Sequence, residues 1–344
     1  MNPKLIAHLS TIISNETLRP FTLSIATPIG GGSINEAYRL EACPELGRRG
    51  TRYFVKFNGA QHLPIPSAWL RTGFAAEAAG LEAIAATNTI RVPRVIAHDI
   101  AEEQSYLVLE YLELSSRGDA KLLGKQLATL HRCTSSRFGF STDNFIGTTP
   151  QANIWTNDWV AFWREQRLGF QLRLAAQNGY GGQLQSLGEK LLDALPAFFA
   201  GYTPQPALLH GDLWSGNHAF LADGTPAIFD PAAYYGDREC DLAMTELFGG
   251  YPADFYAAYR AAYPLDAGYA TRRDLYNLYH ILNHANLFGV GDCDTLPAKP
   301  ADCGSSHLVA LPHQRATPHR VRATGYARQA EQMMQKLLKV AGVF

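Results

Sequence analysis

Three residues with the chemistry of phosphoryl transfer lie close together in this chain. Asp212 and Asn217 fall within His210-Gly211-Asp212-Leu213-Trp214-Ser215-Gly216-Asn217, and Asp230 follows in Ile228-Phe229-Asp230-Pro231. An aspartate can orient an attacking hydroxyl and accept its proton, while an asparagine oxygen and a second carboxylate hold Mg²⁺ against the phosphates of ATP. Asp212 is therefore the candidate base, and Asn217 and Asp230 are the candidate metal ligands. Taken singly, each also fits a turn cap or a strand end. Their joint order, downstream of a β-rich segment with phosphate-binding features of its own, favours the chemical reading.

That upstream segment contains Lys56 in the apolar run Tyr53-Phe54-Val55-Lys56-Phe57. An unpaired ammonium there is costly to desolvate, so Lys56 is expected to point toward phosphate oxygens and to have a carboxylate partner. Glu77, on the next predicted helix, is the first choice for that partner and Glu82 the second. Gly30, Gly31, Gly32 and Ser33 read as a loop closing over the nucleotide, because glycine permits close backbone approach. The run is neither a full Gly-x-Gly-x-x-Gly nor a Walker motif, so it carries weight only beside Lys56 and Asp212. Leu109-Glu110-Tyr111-Leu112 either ends a strand or offers backbone groups to adenine, with Glu110 and Leu112 as the candidates.

The pattern around these residues predicts the elements that hold them. Two β-rich runs flank the glycines between Phe21 and Phe57, Phe74 to Ala86 reads as a helix, and Tyr106 to Leu109 reads as another strand. A small β-rich lobe, residues 1–112, is expected to bind nucleotide. Residues 113–344 form the larger, mainly helical lobe, with helices over Ala120 to His131, Trp159 to Ala176, Gln183 to Leu195, Leu242 to Phe248, Leu275 to Phe288 and Tyr326 to Leu338. Asp223-Gly224 between two short apolar runs predicts a hairpin linking the Asp212 and Asp230 segments. The fold class is α+β and bilobal. Val290 to Thr324 lacks apolar periodicity and is expected to be a flexible inserted loop.

Composition removes several classes of function. The chain has 344 residues, 47% of them hydrophobic, with 30 basic and 31 acidic side chains for a net charge of -1. That balance lacks the basic excess of a nucleic-acid-binding surface. No stretch approaches the apolar length of a membrane span, and Met1 to Leu9 lacks the apolar centre of a signal peptide, so a soluble, cytoplasmic protein is expected. Five scattered cysteines are expected to be reduced thiols.

The Asp-x-x-x-x-Asn spacing matches the protein-kinase catalytic loop, although Gly211 stands where that loop has arginine and Asp230-Pro231-Ala232 replaces Asp-Phe-Gly. Beyond these residues, the sequence resembles the fructosamine kinase, or ketosamine-3-kinase, family, a relative of the aminoglycoside phosphotransferases with a protein-kinase-like fold. The resemblance rests on Gly30 through Ala37, Phe138-Gly139-Phe140, Asn144 through Gly147, His210 through Asn217, Gly236 through Gly250, and Leu278-Tyr279-His280. It implies Asp212 as base, Asn217 and Asp230 on Mg²⁺, Lys56 on the ATP phosphates and Glu77 orienting Lys56. It further implies a ketosamine acceptor, either a small molecule or a glycated protein amine, phosphorylated at the sugar 3-hydroxyl and so marked for deglycation.

Asp241 is expected to support the catalytic loop through hydrogen bonds or else to cap a surface helix, and His210 to brace the loop. Trp214 is either an aromatic wall for the acceptor or a core residue. Ser33 replaces the cysteine that many family members carry after the glycines, so no thiol switch is expected there. Cys293, Cys303, His307, His313 and His319 in the insertion do not have the spacing of a zinc motif.

Overall fold

Along β3 (Arg52–Asn58), Tyr53, Val55 and Phe57 alternate with Phe54 and Lys56, and this period of two decides what packs on each face of the sheet. The computed structural model describes residues 1–30, 35–42, 50–58, 67–289 and 324–343. Helix α1 (Pro3–Thr17) precedes strands β1 (Leu23–Ile29), β2 (Glu36–Ala42) and β3; α2 (Ser67–Ala86), β4 (Val95–Ala101) and β5 (Gln104–Glu110) follow. The strands form one antiparallel sheet in the order β1-β2-β3-β5-β4. Leu5, Leu9 and Ile13 of α1 bury against Tyr53, Val55 and Tyr106 on one face. Phe74, Ala78 and Leu81 of α2 bury against Phe54, Leu107 and Leu109 on the other. Lys56 shares that second face.

The sequence reading contains neither α1 nor β4. The signal for α1 is Asn2-Pro3 ahead of apolar residues four apart: Asn2 Oδ1 accepts the Leu5 N–H at 2.8 Å and caps the helix. Helix α2 begins at Ser67 rather than Phe74. Gly31, Gly32, Ser33 and Cys43 lie outside the described residues, as does the predicted insertion from Val290 as far as residue 323, with Cys293 and Cys303.

After β6 (Leu114–Ser115) the chain is mainly helical. Helix α3 (Ala120–Leu130) leads to the hairpin β7 (Asn144–Ile146) and β8 (Thr149–Gln151). Helix α4 (Trp159–Phe162) runs through a π-helical turn, Trp163–Leu168, into α5 (Gly169–Gln177), and α6 (Gln183–Ala194) follows. Strand β9 (Ala207–Leu209) feeds the catalytic-loop segment, and β10 (His218–Leu221) and β11 (Pro226–Ile228) form the predicted hairpin. Its turn is held by Asp223 Oδ1, which accepts the Thr225 N–H at 2.9 Å, and by Gly224 at φ 85°. Strand β12 (Tyr234–Gly236) pairs with β9, which brings the two ends of the hairpin region together.

Helices α7 (Glu239–Leu247), α8 (Ala253–Ala262), α9 (Tyr269–Phe288) and α10 (Thr324–Val340) complete the body. Helix α8 is absent from the sequence reading. Helix α9 is buried on nearly every side from Leu275 to Asn286, so it forms the axis of this layer. The rings of His284 and Tyr326 lie 5.3 Å apart, so the helix ends on either side of residues 290–323 meet. No described helix is long and apolar enough to cross a membrane.

Candidate active site

Lys56 is 2% exposed and its ammonium reaches two carboxylates, Glu77 Oε1 at 2.9 Å and Asp230 Oδ1 at 2.5 Å. Desolvation opposes the charge on Lys56, but Asp230 and Glu77 outweigh it and hold the ammonium at about 12. Burial, reinforced by the charge of Asp230, keeps the Glu77 carboxyl well above the usual carboxylate range against the pull of Lys56. The alternative partner, Glu82, is exposed on the far side of α2. Close approach of α2 to the Asp230 segment depends on Gly80, where an added Cβ would lie 3.2 Å from both Pro231 and Ala233.

The loop from His210 to Asn217 is tied to the Asp230 segment at several points. The Ala232 N–H donates to the His210 carbonyl at 2.9 Å, and the Phe229 N–H donates to the Asn217 carbonyl at 3.1 Å. His210 Nε2 donates to the Phe229 carbonyl at 2.9 Å, and its Nδ1 accepts the Asp212 N–H at 3.3 Å. Burial holds that imidazole neutral, so His210 braces the two segments as one unit. Gly211 has φ 84°, and a Cβ there would sit 2.1 Å from the Ala232 carbonyl oxygen. This explains why glycine occupies the position of the kinase arginine: no L side chain fits between the strands at that dihedral. Asp230 is itself left-handed at φ 59°, a conformation that aspartate tolerates better than most residues.

Asn217 is buried, and its two amide atoms have different surroundings. Nδ2 donates to the Asp212 carbonyl at 2.7 Å and lies 3.4 Å from Asp212 Oδ2, whereas Oδ1 is buried without a hydrogen-bond partner among the described residues. A buried unpaired oxygen is costly, and an oxygen-seeking cation satisfies it. The donor set of Asn217 Oδ1 and the Asp230 carboxylate therefore fits Mg²⁺. Burial, together with the charges of Asp230 and Asp241, pushes the Asp212 carboxyl up to about 7, the range in which a carboxylate can exchange a proton near neutral pH.

The support behind the loop reaches farther than the sequence indicates. Asp241 Oδ2 accepts the His210 N–H at 2.7 Å and Oδ1 accepts the Gly211 N–H at 2.8 Å. A carboxylate can only accept, so His131 Nε2, 3.1 Å from Asp241 Oδ2, is the donor; Tyr259 Oη then donates to His131 Nδ1 at 2.8 Å and accepts from Arg238 at 3.1 Å. Burial pushes the Asp241 carboxyl up, but the bond from His131 and the remaining donors overcome this and leave it below its ordinary value. Behind the loop itself, Asp241 figures in the sequence reading, whereas His131, Tyr259 and Arg238 have no role there. His131 ends a helix with an unremarkable apolar face, and its partners come from α7 and α8, more than a hundred residues away.

The other candidates are placed as follows. Gly30 follows β1 and is exposed. The Glu110 carboxylate is engaged by Arg91 through both oxygens, at 2.5 and 2.6 Å, and its N–H donates to the Arg94 carbonyl at 2.9 Å, so neither the carboxylate nor the N–H remains for a ligand. Leu112 is buried, and neither its N–H nor its C=O has a hydrogen-bond partner among the described residues. Trp214 is half-buried with its indole folded over Gly216, where an added Cβ would fall 2.2 Å from the ring.

A sheet carrying a buried lysine–glutamate pair, stacked on a helical body that supplies Asp212, Asn217 and Asp230, is a protein-kinase-like fold. Within that class the chain belongs to the fructosamine kinase family, whose model matches residues 5–298. It is 48% identical over 283 residues to a probable ketoamine kinase of Synechocystis sp., covering 81% of this chain and 90% of that protein. A chloroplastic protein-ribulosamine 3-kinase of Arabidopsis thaliana is 43% identical over 267 residues, covering 76% of this chain and 77% of that one. A crystal structure of a candidate fructosamine-3-kinase from Haemophilus somnus superposes with a TM-score of 0.75 at 25% identity, covering 96% of each chain.

Proposed function

We propose that this chain transfers the γ-phosphoryl group of ATP to the 3-hydroxyl of a ketosamine: a ribulosamine, erythrulosamine or fructosamine group on a small amine or a glycated protein. Membership in the fructosamine kinase family and likeness to proteins named ketoamine kinase and protein-ribulosamine 3-kinase support the acceptor class. Residues 1–112 hold the nucleotide and 113–344 the acceptor.

In this reading Asp212 takes the acceptor's proton as the hydroxyl oxygen bonds to the γ-phosphorus and ADP leaves. Lys56 directs its ammonium to phosphate oxygens and Glu77 fixes its direction, while Gly30, Gly31, Gly32 and Ser33 close over the phosphates. The backbone of Glu110 and Leu112 meets the adenine, and Trp214 borders the acceptor. Asn217 Oδ1 and Asp230 would hold Mg²⁺, which when bound offsets the charge of the nucleotide phosphates. The observation that carries the reading is the Asn217 amide, bonded on one side to Asp212 and, among the described residues, unpaired on the other.

The test compares ATP consumption with ribulose-lysine, fructose-lysine, choline and an aminoglycoside. Turnover with a ketosamine well above that with the other two classes is expected. Preference for choline or the aminoglycoside would reject the acceptor, and absence of turnover with all four would reject the kinase.

A further inference from the structure

The run Gly236 through Gly250 has one half with a clear duty, since Asp241 holds the backbone of His210 and Gly211. Its other end, Phe248-Gly249-Gly250, and the Tyr251 that follows carry out a second task on the far half of the same loop. Ser215 Oγ donates to the Phe248 carbonyl at 3.1 Å, and the buried Tyr251 Oη donates to the Trp214 carbonyl at 3.1 Å. Gly249 and Gly250 have φ 90° and 73°, which lets the chain reverse between the two contacts; a Cβ at Gly249 would meet open space, so the need for glycine there is conformational.

The segment is fixed in turn. The Tyr251 N–H donates to Tyr256 Oη at 3.0 Å, which donates to the Thr245 carbonyl in the last turn of α7 at 3.1 Å. The Tyr251 ring packs between His218, centroids 4.2 Å apart, and Phe255, 4.7 Å apart. The Trp214 carbonyl accepts the Asn217 N–H at 3.0 Å as well, so Trp214 is pinned at its backbone from two sides while its indole rests on Gly216.

Resting on the reading that Asp212 meets the acceptor hydroxyl, we infer that residues 248–251 are an acceptor-side clamp. Tyr251 and Ser215 are positioning residues that fix Trp214, two residues beyond the base, as a rigid wall of the acceptor site. Apart from Asn217, the nucleotide side is held by different elements, β3, α2 and the Asp230 segment, and Asn217 is itself fixed by Asp212 and by the Phe229 N–H, so the clamp sets acceptor affinity and leaves nucleotide affinity alone.

The variants Tyr251→Phe and Ser215→Ala each remove one hydroxyl and leave the ring or backbone in place. Loss of one such bond is expected to raise KM for the preferred acceptor about threefold to tenfold in each variant, with KM for Mg-ATP unchanged. A second readout needs no acceptor: acrylamide quenching of Trp214, taken as the difference between each protein and its Trp214→Phe counterpart, should increase in both variants. An acceptor KM matching the parent, an equal loss of Mg-ATP affinity, or unchanged Trp214 quenching would overturn the clamp. If the parent instead prefers choline or an aminoglycoside, the ketosamine reading falls, and the clamp is judged on that acceptor and on the quenching.

Discussion

Replacing the proposed base, Asp212, should make the protein inactive and more stable at once. Asp212 is half-buried, near the charges of Asp230 and Asp241, and its carboxyl titrates at about 7 instead of 3.8. The folded state therefore binds this proton more tightly than the unfolded state. Stability linked to Asp212 is fully present below 3.8, declines as pH rises, and is fully lost above about 7. At 1.36 kcal/mol per pH unit the gap corresponds to about 4 kcal/mol, which partial solvent exposure reduces to roughly 2 kcal/mol at pH 8. Asp212→Asn cannot ionise, and the main partner of the Asn217 amide, the Asp212 backbone carbonyl, survives the change. With an unfolding entropy of about 2.1 cal/mol/K per residue, the variant should melt about 3 °C above the parent at pH 8. The difference should shrink to about 1 °C at pH 5, where the parent is largely protonated. Turnover should fall at least ~100-fold with Mg-ATP binding retained. Scanning calorimetry of both proteins in chelator at the two pH values is the assay. Equal melting at pH 8, or a gain independent of pH, would refute the electrostatic account of this site.

Substitutions at three other positions probe separate parts of the constellation. Asp230→Asn should weaken Mg-ATP binding as well as turnover and shift the Mg²⁺ dependence of the rate to higher concentration, measured by titration calorimetry and initial rates; unchanged metal dependence would remove Asp230 from the metal site. Gly211→Ala forces a left-handed residue against the Ala232 carbonyl, so a loss of at least ~2 kcal/mol in denaturant unfolding is expected, with turnover lost in the fraction that folds. His131→Leu removes the side-chain donor to Asp241, and kcat should fall about tenfold or more with KM for Mg-ATP unchanged, whereas His131→Gln, which keeps an N–H donor, should recover part of the rate.

The residues proposed to meet the chemistry stand out in the sequence because each departs from its surroundings. Lys56 is a cation in an apolar strand, and Asp212, Asn217 and Asp230 keep a spacing that ordinary turns do not require. The hairpin between them was legible from Asp223-Gly224, whose turn chemistry is local. Contacts between distant segments were not. His131 and Tyr259 are separated by 128 positions and meet only because α3 packs on α8, a helix whose aromatic and alanine-rich sequence gives no sharp boundary. Helix α1 carries its cap and apolar spacing in the sequence, but no acidic residue in its first turn and no basic residue in its last mark its ends. Glu110 illustrates the converse: its place at the end of β5 was readable, but the commitment of its carboxylate to Arg91 depends on tertiary contact.

Delivery of a ketosamine hydroxyl to the γ-phosphate of ATP by Asp212 is the step on which the proposed function rests. Its most direct test is a ³¹P–¹H correlation NMR spectrum of the product formed from ATP, Mg²⁺ and ribulose-lysine. Phosphorus coupled to the proton on sugar carbon 3, formed by the parent and absent with Asp212→Asn, is the predicted result. Phosphate released only to water, or attached to sugar at the same rate by the Asp212→Asn variant, would contradict it.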